Sequence, residues 1–220
     1  MDIVESLKKD SFVEALSCAL IVYDEYNKEI ARLVPIGKWA LFDEDLLCRF
    51  SEWRQKFMSF FLTRFHASKE STKGYLKNLS IEQNDRILFA IYADDLLVGH
   101  IGLSNINENN AELDNAIRGV SGNHKDLIYF SEKVLLTWAF DRLAVNSVHA
   151  QVLSKNFLAL SLHKRFGFKL RERQSLKKVV NEKLISYEVC DEELATEKFF
   201  LDIIEVFKEN FLITINPSHS

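Results

Sequence analysis

The sequence predicts a mixed α+β domain with helical segments at its two ends. Some segments alternate apolar and polar residues, as strands do, whereas others repeat apolar residues at helical spacing. Three strand-like segments follow one another directly, so the order is not that of a regular βαβ repeat. Hydrophobic residues make up 47% of the 220 residues, which is enough for a substantial core. We expect an N-terminal helical extension over residues 1–28, the main domain over residues 29–192, and a C-terminal helix and tail over residues 193–220.

The first part of the chain is predicted to be mostly helical. Residues 4–20 have the apolar spacing of a helix, and residues 21–26 fit a short strand or the end of that helix. Residues 29–36 predict the first long strand, which a proline and a glycine close. Two further helices are predicted over residues 41–61, a segment rich in aromatic side chains, and over residues 68–79.

A three-strand meander is predicted in the middle of the chain. Its strands are residues 87–93, 96–106 and 111–118. The pair Asp94-Asp95 suits a tight turn between the first two strands, and such short turns favour antiparallel pairing. Gly99 and Gly102 lie within the second strand, where glycine indicates a bulge or the close approach of another backbone.

The second half of the chain alternates helices and strands. A polar loop over residues 119–125 precedes a helix that we expect to begin near Asp126, because aspartate is a good N-cap. The remaining predicted elements are a strand over residues 147–152, a helix over 157–166 ended by Gly167, a strand pair over 168–180 and 184–189, and an amphipathic helix over 193–211.

Composition narrows the classes of partner. The net charge of −4 gives no general attraction to nucleic acid or to an anionic membrane, and no apolar run approaches the 18 residues of a membrane span. The three cysteines, Cys18, Cys48 and Cys190, are far apart, which indicates neither a metal site nor a disulfide framework. The N-terminus lacks the pattern of a signal peptide, so we expect a cytoplasmic protein.

Three sequence blocks resemble the core of the Gcn5-related N-acetyltransferase (GNAT) superfamily. The first is GHIGL at residues 99–103 with AEL at residues 111–113, which is similar to the branch of ribosomal-protein alanine and amino-sugar N-acetyltransferases. The second is the loop and helix over residues 118–140. The third and most specific is NFLALSLHKRFGF at residues 156–168, which matches the family's N-x-x-A-x-x-L-Y-x-x-x-G-F.

This resemblance implies acetyl-CoA as the cofactor. It implies a mixed, largely antiparallel sheet in which the strand ending at residue 118 splays from the strand over residues 147–152. An extended pantetheine arm can pair with the backbone exposed in that gap, and the N-terminus of the next helix suits a pyrophosphate. The residues expected to bind the cofactor are Ala116, Ile117, Arg118, Gly119, Gly122, Asn123, His124, Lys125 and Asn156, of which Asn156 is equally expected to cap its helix.

The phosphate loop departs from the family pattern. The usual loop is Gln/Arg-x-x-Gly-x-Gly/Ala, whereas counting from Glu112 this chain has Gly122-Asn123-His124-Lys125 and lacks the second glycine. His124 and Lys125 can supply charge to phosphates, or their larger side chains can obstruct them. An acyl-CoA-binding or regulatory module without catalysis is therefore the alternative to an enzyme.

The resemblance implies direct acetyl transfer to a primary amine in a ternary complex, which requires a base and an acid. His163 stands where the family usually has the tyrosine acid, and its alternative is a half-exposed helix histidine. Glu112 and Asp114 lie two apart on one strand and therefore share a face, so either is a candidate base. We expect a core or surface role for His100, although it lies on the neighbouring strand and can reach the same cleft.

The expected acceptor is a small-molecule or peptide amine. A nucleotide-linked amino sugar, a protein N-terminus and a small polyamine-like amine all remain open at this point. A cluster of aromatic residues is expected in the core, with an acceptor-pocket wall or an oligomer interface as alternatives; its members are Trp53, Phe57, Phe60, Phe61 and Phe65. The oligomeric state, including a homodimer, is left open.

Overall fold

The structure, a computed structural model that describes residues 2–121, 124–182 and 184–216, contains a sheet of ten strands in that part of the chain. The strands are β1 Leu20–Tyr23, β2 Glu29–Pro35, β3 Thr63–Arg64, β4 Ile87–Ala93, β5 Leu96–Ser104, β6 Asn110–Arg118, β7 Ser147–Leu153, β8 Lys169–Asn181, β9 Leu184–Cys190 and β10 Leu201–Phe207. The helices are α1 Asp2–Leu7, α2 Phe12–Ser17, α3 Glu44–Lys56, α4 Lys69–Leu76, α5 Leu127–Trp138, α6 Phe157–Lys164 and α7 Lys208–Ile215. Short 3₁₀ or π turns extend several of these helices.

The strands lie in the order β1-β2-β4-β5-β6-β7-β10-β8-β9-β3. Among the described strands, every pair is antiparallel except β6 with β7. The mixed, largely antiparallel sheet predicted from the sequence is therefore confirmed. The meander β4-β5-β6 has the predicted pairing, and Asp94 and Asp95 both have the positive φ that a tight hairpin turn requires.

The two faces of the sheet carry separate clusters of buried side chains. Ile87, Phe89 and Ile91 on β4 point toward α5, because alternate residues of a strand share a face. Leu88 and Ala90 point to the opposite face, where α3 and α4 cover the sheet. The predicted close approaches at the two β5 glycines are confirmed, since a Cβ on Gly99 would lie 2.4 Å from the Ile117 carbonyl oxygen, and one on Gly102 would lie 2.6 Å from that of Ile87.

The helix predicted over residues 193–211 is wrong. Residues 201–207 form strand β10, which lies between β7 and β8, and the helix α7 begins only at Lys208. The segment LDIIEVF is rich in β-branched residues, and its buried Asp202 accepts two hydrogen bonds from Arg173 of β8, at 2.6 and 2.8 Å. At the N-terminus, the single helix predicted over residues 4–20 is also wrong, because Ser11 caps the separate helix α2.

The start of α5 differs from the expectation in one detail. Asp126 occupies the N-cap position, but its carboxylate accepts a hydrogen bond from Arg165 Nη1 at 3.0 Å and does not cap the helix through its side chain.

The predicted end of α6 is confirmed. Gly167 follows that helix with φ of +87°, a backbone conformation that glycine adopts without strain.

Candidate active site

A gap between β6 and β7 opens at the centre of the sheet. Residues 110–113 of β6 pair with residues 147–150 of β7, and the pairing stops after Leu113. A bulge in β6 begins just beyond that point, where Asn115 has φ of +54° and the register with β5 shifts between His100 and Gly102. The splay expected from the sequence is therefore present, and it leaves the β6 edge beyond Leu113 without a pairing strand among the described residues.

A cavity of about 980 Å³ occupies this gap and reaches both faces of the sheet. The β6 segment 112–118 and the β7 segment 150–153 line it, together with side chains from α3 and α4 on one face and α6 on the other. Four residues of the predicted aromatic cluster contribute to its wall, namely Phe57, Phe60, Phe61 and Phe65. Trp53, the fifth member, is instead buried in the core. The aromatic cluster therefore contributes both to the core and to the wall of the cavity.

His163 lines the cavity from the α6 side and is 5% exposed, so the alternative of a half-exposed helix histidine is wrong. Its Nδ1 lies 2.7 Å from Oε1 of Glu132, a fully buried residue of α5. An ionised carboxylate only accepts hydrogen bonds, so with Glu132 ionised Nδ1 carries the proton in this pair and Nε2 is the ring nitrogen that remains. The other oxygen of Glu132, Oε2, has no hydrogen-bond partner among the described residues.

Glu112 lines the cavity from the opposite side of the gap and is held by three side chains. Its Oε2 accepts a hydrogen bond from Asn105 Nδ2 at 2.8 Å, and it also lies 3.3 Å from His149 Nε2 and 3.4 Å from Gln151 Nε2. Burial alone would raise the pKa of Glu112, but the hydrogen bonds from His149 and Asn105 outweigh it and keep the pKa below its ordinary value.

Asp114 lies on the same face two residues further along β6, closer to the opening. Its Oδ2 is 3.5 Å from Arg86 Nη2, and its side chain remains 29% exposed. Burial raises the pKa of Asp114, and the positive charge of Arg86 opposes that rise only in part. A carboxylate with a raised pKa, exposed to a cavity, is better suited than Glu112 to take up a proton.

His100 is buried beside these carboxylates and also lines the cavity. Its ring packs against Phe50 at 4.5 Å between centroids, and its Nδ1 lies 2.7 Å from the carbonyl oxygen of Asn115 in the bulge. Burial lowers the pKa of His100 to about 4, so the imidazole is neutral at pH 7 and Nδ1 donates to the carbonyl. His100 therefore has the expected core role and also lines the cavity.

Comparison with known families agrees with this geometry. A sequence model of the acetyltransferase (GNAT) domain matches residues 36–169, which is more than half of the chain. The chain belongs to the GNAT acetyltransferase family. The family resemblance drawn from the sequence is confirmed, and no protein of curated function matches the GNAT chain closely enough to add to it.

Solved structures share the GNAT fold at low identity. The spermidine N-acetyltransferase from Vibrio cholerae, determined with CoA and spermine, is 15% identical, with 83% of this chain and 98% of that chain covered and a TM-score of 0.62. RimL, a ribosomal-protein α-N-acetyltransferase determined with CoA, is 11% identical, with 86% and 97% covered and a TM-score of 0.64. A Gcn5-related N-acetyltransferase from Brucella melitensis is 14% identical, with 88% and 81% covered and a TM-score of 0.64.

The predicted cofactor residues of this GNAT chain lie along β6 and around the start of α5. Ala116, Ile117 and Arg118 line the cavity on the unpaired edge of β6. Arg118 donates to the carbonyl oxygens of Val120 at 3.3 Å and Lys125 at 2.7 Å, so it ties together the two ends of the loop. Gly122 and Asn123 lie outside the described residues.

The described ends of the loop show how it is supported. An added Cβ on Gly119 would lie 1.9 Å from the ring of Trp53, so this position accepts only glycine while the indole stays in place. His124 is half-buried and Lys125 is exposed, next to the N-terminus of α5. The Lys125 ammonium and the His124 ring therefore lie at a helix end that attracts anions.

Asn156 lines the cavity and also caps α6. Its Oδ1 accepts a hydrogen bond from the Ala159 backbone N–H at 3.3 Å, which confirms the capping role. Among the described residues no hydrogen bond engages the amide nitrogen of Asn156, so capping and cofactor binding are compatible. Arg165 lies at the opposite, C-terminal end of α6, where it pairs with Asp126 and lies 3.7 Å from the centroid of the Tyr129 ring.

Sequence reasoning missed several residues of this GNAT site. Glu132 had a signal, because it is a charged residue that shares the buried face of α5 with Leu135 and Leu136. No sequence pattern pointed to Tyr75, Arg86 or Arg54. Helix and loop patterns do not show that these three side chains meet at the cavity. None of the helices in the described part of the chain has the length and apolar character that crossing a membrane requires.

Proposed function

We propose that this GNAT protein is an N-acetyltransferase that moves an acetyl group from acetyl-CoA to a primary amine by direct transfer. The single observation that carries the proposal is the cavity between β6 and β7, which has His163 on one side and Asp114 on the other. Membership of an acetyltransferase family supports the cofactor. The proposed acceptor classes are a small-molecule amine and a peptide amine.

The residues of the gap fit an extended acyl-CoA. The β6 edge beyond Leu113 offers unpaired backbone N–H and C=O groups to a pantetheine arm, in the manner of an added strand. At the far end of this edge, Arg118 and Lys125 place positive charge beside the N-terminus of α5, and His124 lies next to them. Acetyl-CoA, when bound, supplies an acetyl thioester whose sulfur needs a proton as it leaves.

His163 is the proposed acid. Glu132 fixes the proton on Nδ1 and turns Nε2 into the nitrogen that can carry a second proton. The negative charge of a buried carboxylate stabilises the imidazolium form, because attraction between opposite charges is strong away from water. Glu132 is therefore a positioning residue. Its Oε2 is buried with no hydrogen-bond partner among the described residues, which does not stabilise the fold but is explained if the carboxylate is there to orient His163.

Asp114 is the proposed base, with Glu112 as its alternative. Asp114 has a raised pKa and a partly exposed carboxylate, so it can take a proton from the ammonium form of the acceptor, directly or through water, and free the amine to attack the thioester carbonyl. Glu112 is occupied by Asn105, His149 and Gln151, which makes it a structural support of the strand. The aromatic wall limits the access of bulk water to the space between acid and base.

Two measurements on the full chain test this proposal. Calorimetric titration with acetyl-CoA measures cofactor binding, and release of the free thiol over a panel of primary amines measures transfer. We expect binding and at least one accepted amine. Replacing His163 by Gln should lower kcat by roughly a hundredfold or more with little change in CoA affinity. His66, an exposed histidine that does not line the cavity, is the matched control for the same replacement.

The alternative of a non-catalytic acyl-CoA-binding module predicts a different result. Such a module would bind acetyl-CoA without thiol release above the rate of hydrolysis for any amine of the panel. The absence of CoA binding would contradict both functions.

A further inference from the structure

Arg54 is a fixed cation in the wall of the cavity. It comes from α3, and its guanidinium carbon lies 3.4 Å from the centroid of the Phe61 ring and 5.5 Å from that of Phe65. Its Nη2 donates to the carbonyl oxygen of Thr63 at 2.9 Å. Ring stacking and a backbone hydrogen bond thus hold the guanidinium in one place, on the face of the sheet where Asp114 lies.

The charge of Arg54 is offset only by the more distant attraction of Asp114, since no carboxylate of the described residues forms an ion pair with it. Within the described part of the chain, no carboxylate oxygen lies within 4.0 Å of its guanidinium. The two carboxylates of the cavity have other partners, since Asp114 faces Arg86 and Glu112 binds Asn105 and His149. Burial lowers the pKa of Arg54 to about 10, so the group still carries its full charge at pH 7.

A half-buried cation that has no carboxylate within 4.0 Å among the described residues raises the free energy of the unliganded protein. Taking a charge out of water is unfavourable unless an opposite charge or hydrogen bonds compensate, and one carbonyl and two aromatic faces compensate only in part. A ligand that brings an anionic group would remove that cost and make charge-assisted hydrogen bonds, which a planar guanidinium forms in pairs with carboxylate or phosphate oxygens.

We propose that the acceptor is a primary amine that also carries an anionic group, which pairs with Arg54. The apolar part of the acceptor would lie against Phe57, Phe60 and Phe61, and its amine would approach Asp114. Dicationic polyamines fit this arrangement poorly, because Arg54 and Arg86 would repel the second ammonium group. The inference rests on the proposed acetyl transfer and names its substrate class.

Four amines of one shape test the inference on the unmodified protein. 4-(Aminomethyl)benzoate and (4-aminomethylphenyl)phosphonate carry an anion, 4-methylbenzylamine is neutral at that position, and p-xylylenediamine carries a second cation there. With acetyl-CoA saturating, we expect kcat/KM for an anionic amine to exceed that for 4-methylbenzylamine by about tenfold or more, and the diamine to be poorest. Comparison of the benzoate with the phosphonate shows whether the site favours an acceptor with a carboxylate or one with a phosphate-like group. Equal values across the set, or a preference for the diamine, would overturn the inference.

Variants of Arg54 test whether this residue causes the preference for an anionic amine. In Arg54→Gln the ratio of kcat/KM for the anionic amine to that for 4-methylbenzylamine should collapse toward one, and Arg54→Lys should retain part of it. Arg49→Gln is the matched control, because Arg49 lies on the same helix and pairs with Asp45 at 2.7 Å outside the cavity. A ratio that persists in Arg54→Gln, or a loss of CoA affinity in that variant, would contradict the assignment of Arg54 to the acceptor.

Binding measurements separate this inference from the proposed function. Titration with 4-methylbenzoate, which has the anion but no reactive amine, reports on Arg54 without turnover. Binding of 4-methylbenzoate that Arg54→Gln abolishes, in a protein that acetylates no amine, would support the anion site while the proposed function fails. Turnover of several amines without any preference for an anion would leave the proposed function standing while the anion inference fails.

Discussion

His163 and Glu132 form a hydrogen-bonded pair across the interface of α6 and α5, with 2.7 Å between Nδ1 and Oε1. The pair is almost entirely enclosed, since the side chain of His163 is 6% exposed and that of Glu132 is 0% exposed. A buried carboxylate whose second oxygen has no partner among the described residues costs stability. Its presence beside the cavity is explained if Glu132 keeps the imidazole oriented and stabilises its protonated form.

Glu132→Gln tests that relationship. The amide can still accept the hydrogen bond from Nδ1, but it no longer offsets the positive charge of an imidazolium. We therefore expect kcat to fall by roughly tenfold and the dependence of activity on pH to change. The measurement is a pH–rate profile with a fixed amine. Glu188→Gln, which replaces a carboxylate that is 50% exposed, should leave the profile unchanged. An unaltered profile in Glu132→Gln would limit Glu132 to a structural role.

Replacement of the two carboxylates separately should identify the base. Asp114→Asn should lower kcat/KM by roughly a hundredfold, and Glu112→Gln should lower it less, because Glu112 is already committed to three side-chain partners. In the unmodified protein, activity should rise as Asp114 loses its proton, at a pH above the ordinary value of 3.8 because burial raises the pKa of that residue. A larger loss in Glu112→Gln than in Asp114→Asn would reverse the assignment.

His100 should make stability depend on pH. Burial lowers the pKa of His100 in the folded protein from 6.5 to about 4, so in mild acid the unfolded chain binds a proton that the folded chain does not. The stabilisation is complete above pH 6.5 and is lost as the pH falls toward 4. Between pH 7 and 5 we expect this residue to contribute a loss of about 2 kcal/mol, and His100→Gln should show a smaller loss over the same range. Urea unfolding at both pH values measures the difference, and identical pH dependence in the two proteins would contradict it.

Gly119 and Gly74 offer a matched pair of alanine substitutions. A Cβ on Gly119 would overlap the Trp53 ring, so Gly119→Ala should destabilise the protein by about 1–3 kcal/mol and weaken CoA binding at the adjoining loop. Gly74 lies in α4 with nothing within 4 Å of an added Cβ, so Gly74→Ala should stabilise by about 0.5–1 kcal/mol. Thermal unfolding compares the two variants, and equal shifts would show that Trp53 moves aside.

The local sequence pattern predicted those elements whose own turn and capping residues favour the structure that they adopt in the fold. The β4-β5 hairpin was predictable because two aspartates between apolar strands favour one turn, and the end of α6 was predictable because Gly167 tolerates a positive φ. Strand β10 was not predictable in this way. Its apolar residues also fit a helix, and its pairing with β7 and β8 depends on residues that lie about 30 or more positions earlier in the chain.

The family motifs and the strand pattern predicted part of the site. His163 and Asn156 belong to the motif at residues 156–168, and Asp114 was proposed from strand alternation; all three line the cavity, and their chemical roles stay predictions. Glu132 and Arg54 lie on helices that pack against opposite faces of the sheet, so their approach to the gap is a consequence of tertiary packing. The bulge at Asn115 inserts one extra residue in β6 relative to β5, and the alternation of apolar and polar residues does not show where such an insertion falls.

A crystal structure of the protein with CoA bound tests the central claim most directly. The claim predicts that the pantetheine arm lies along β6 between Leu113 and Arg118, with the sulfur within hydrogen-bonding distance of His163 Nε2. Asp114 and Arg54 should then face the free space on the other side of the thiol. A cofactor bound outside the gap between β6 and β7, or a sulfur remote from His163, would contradict the account.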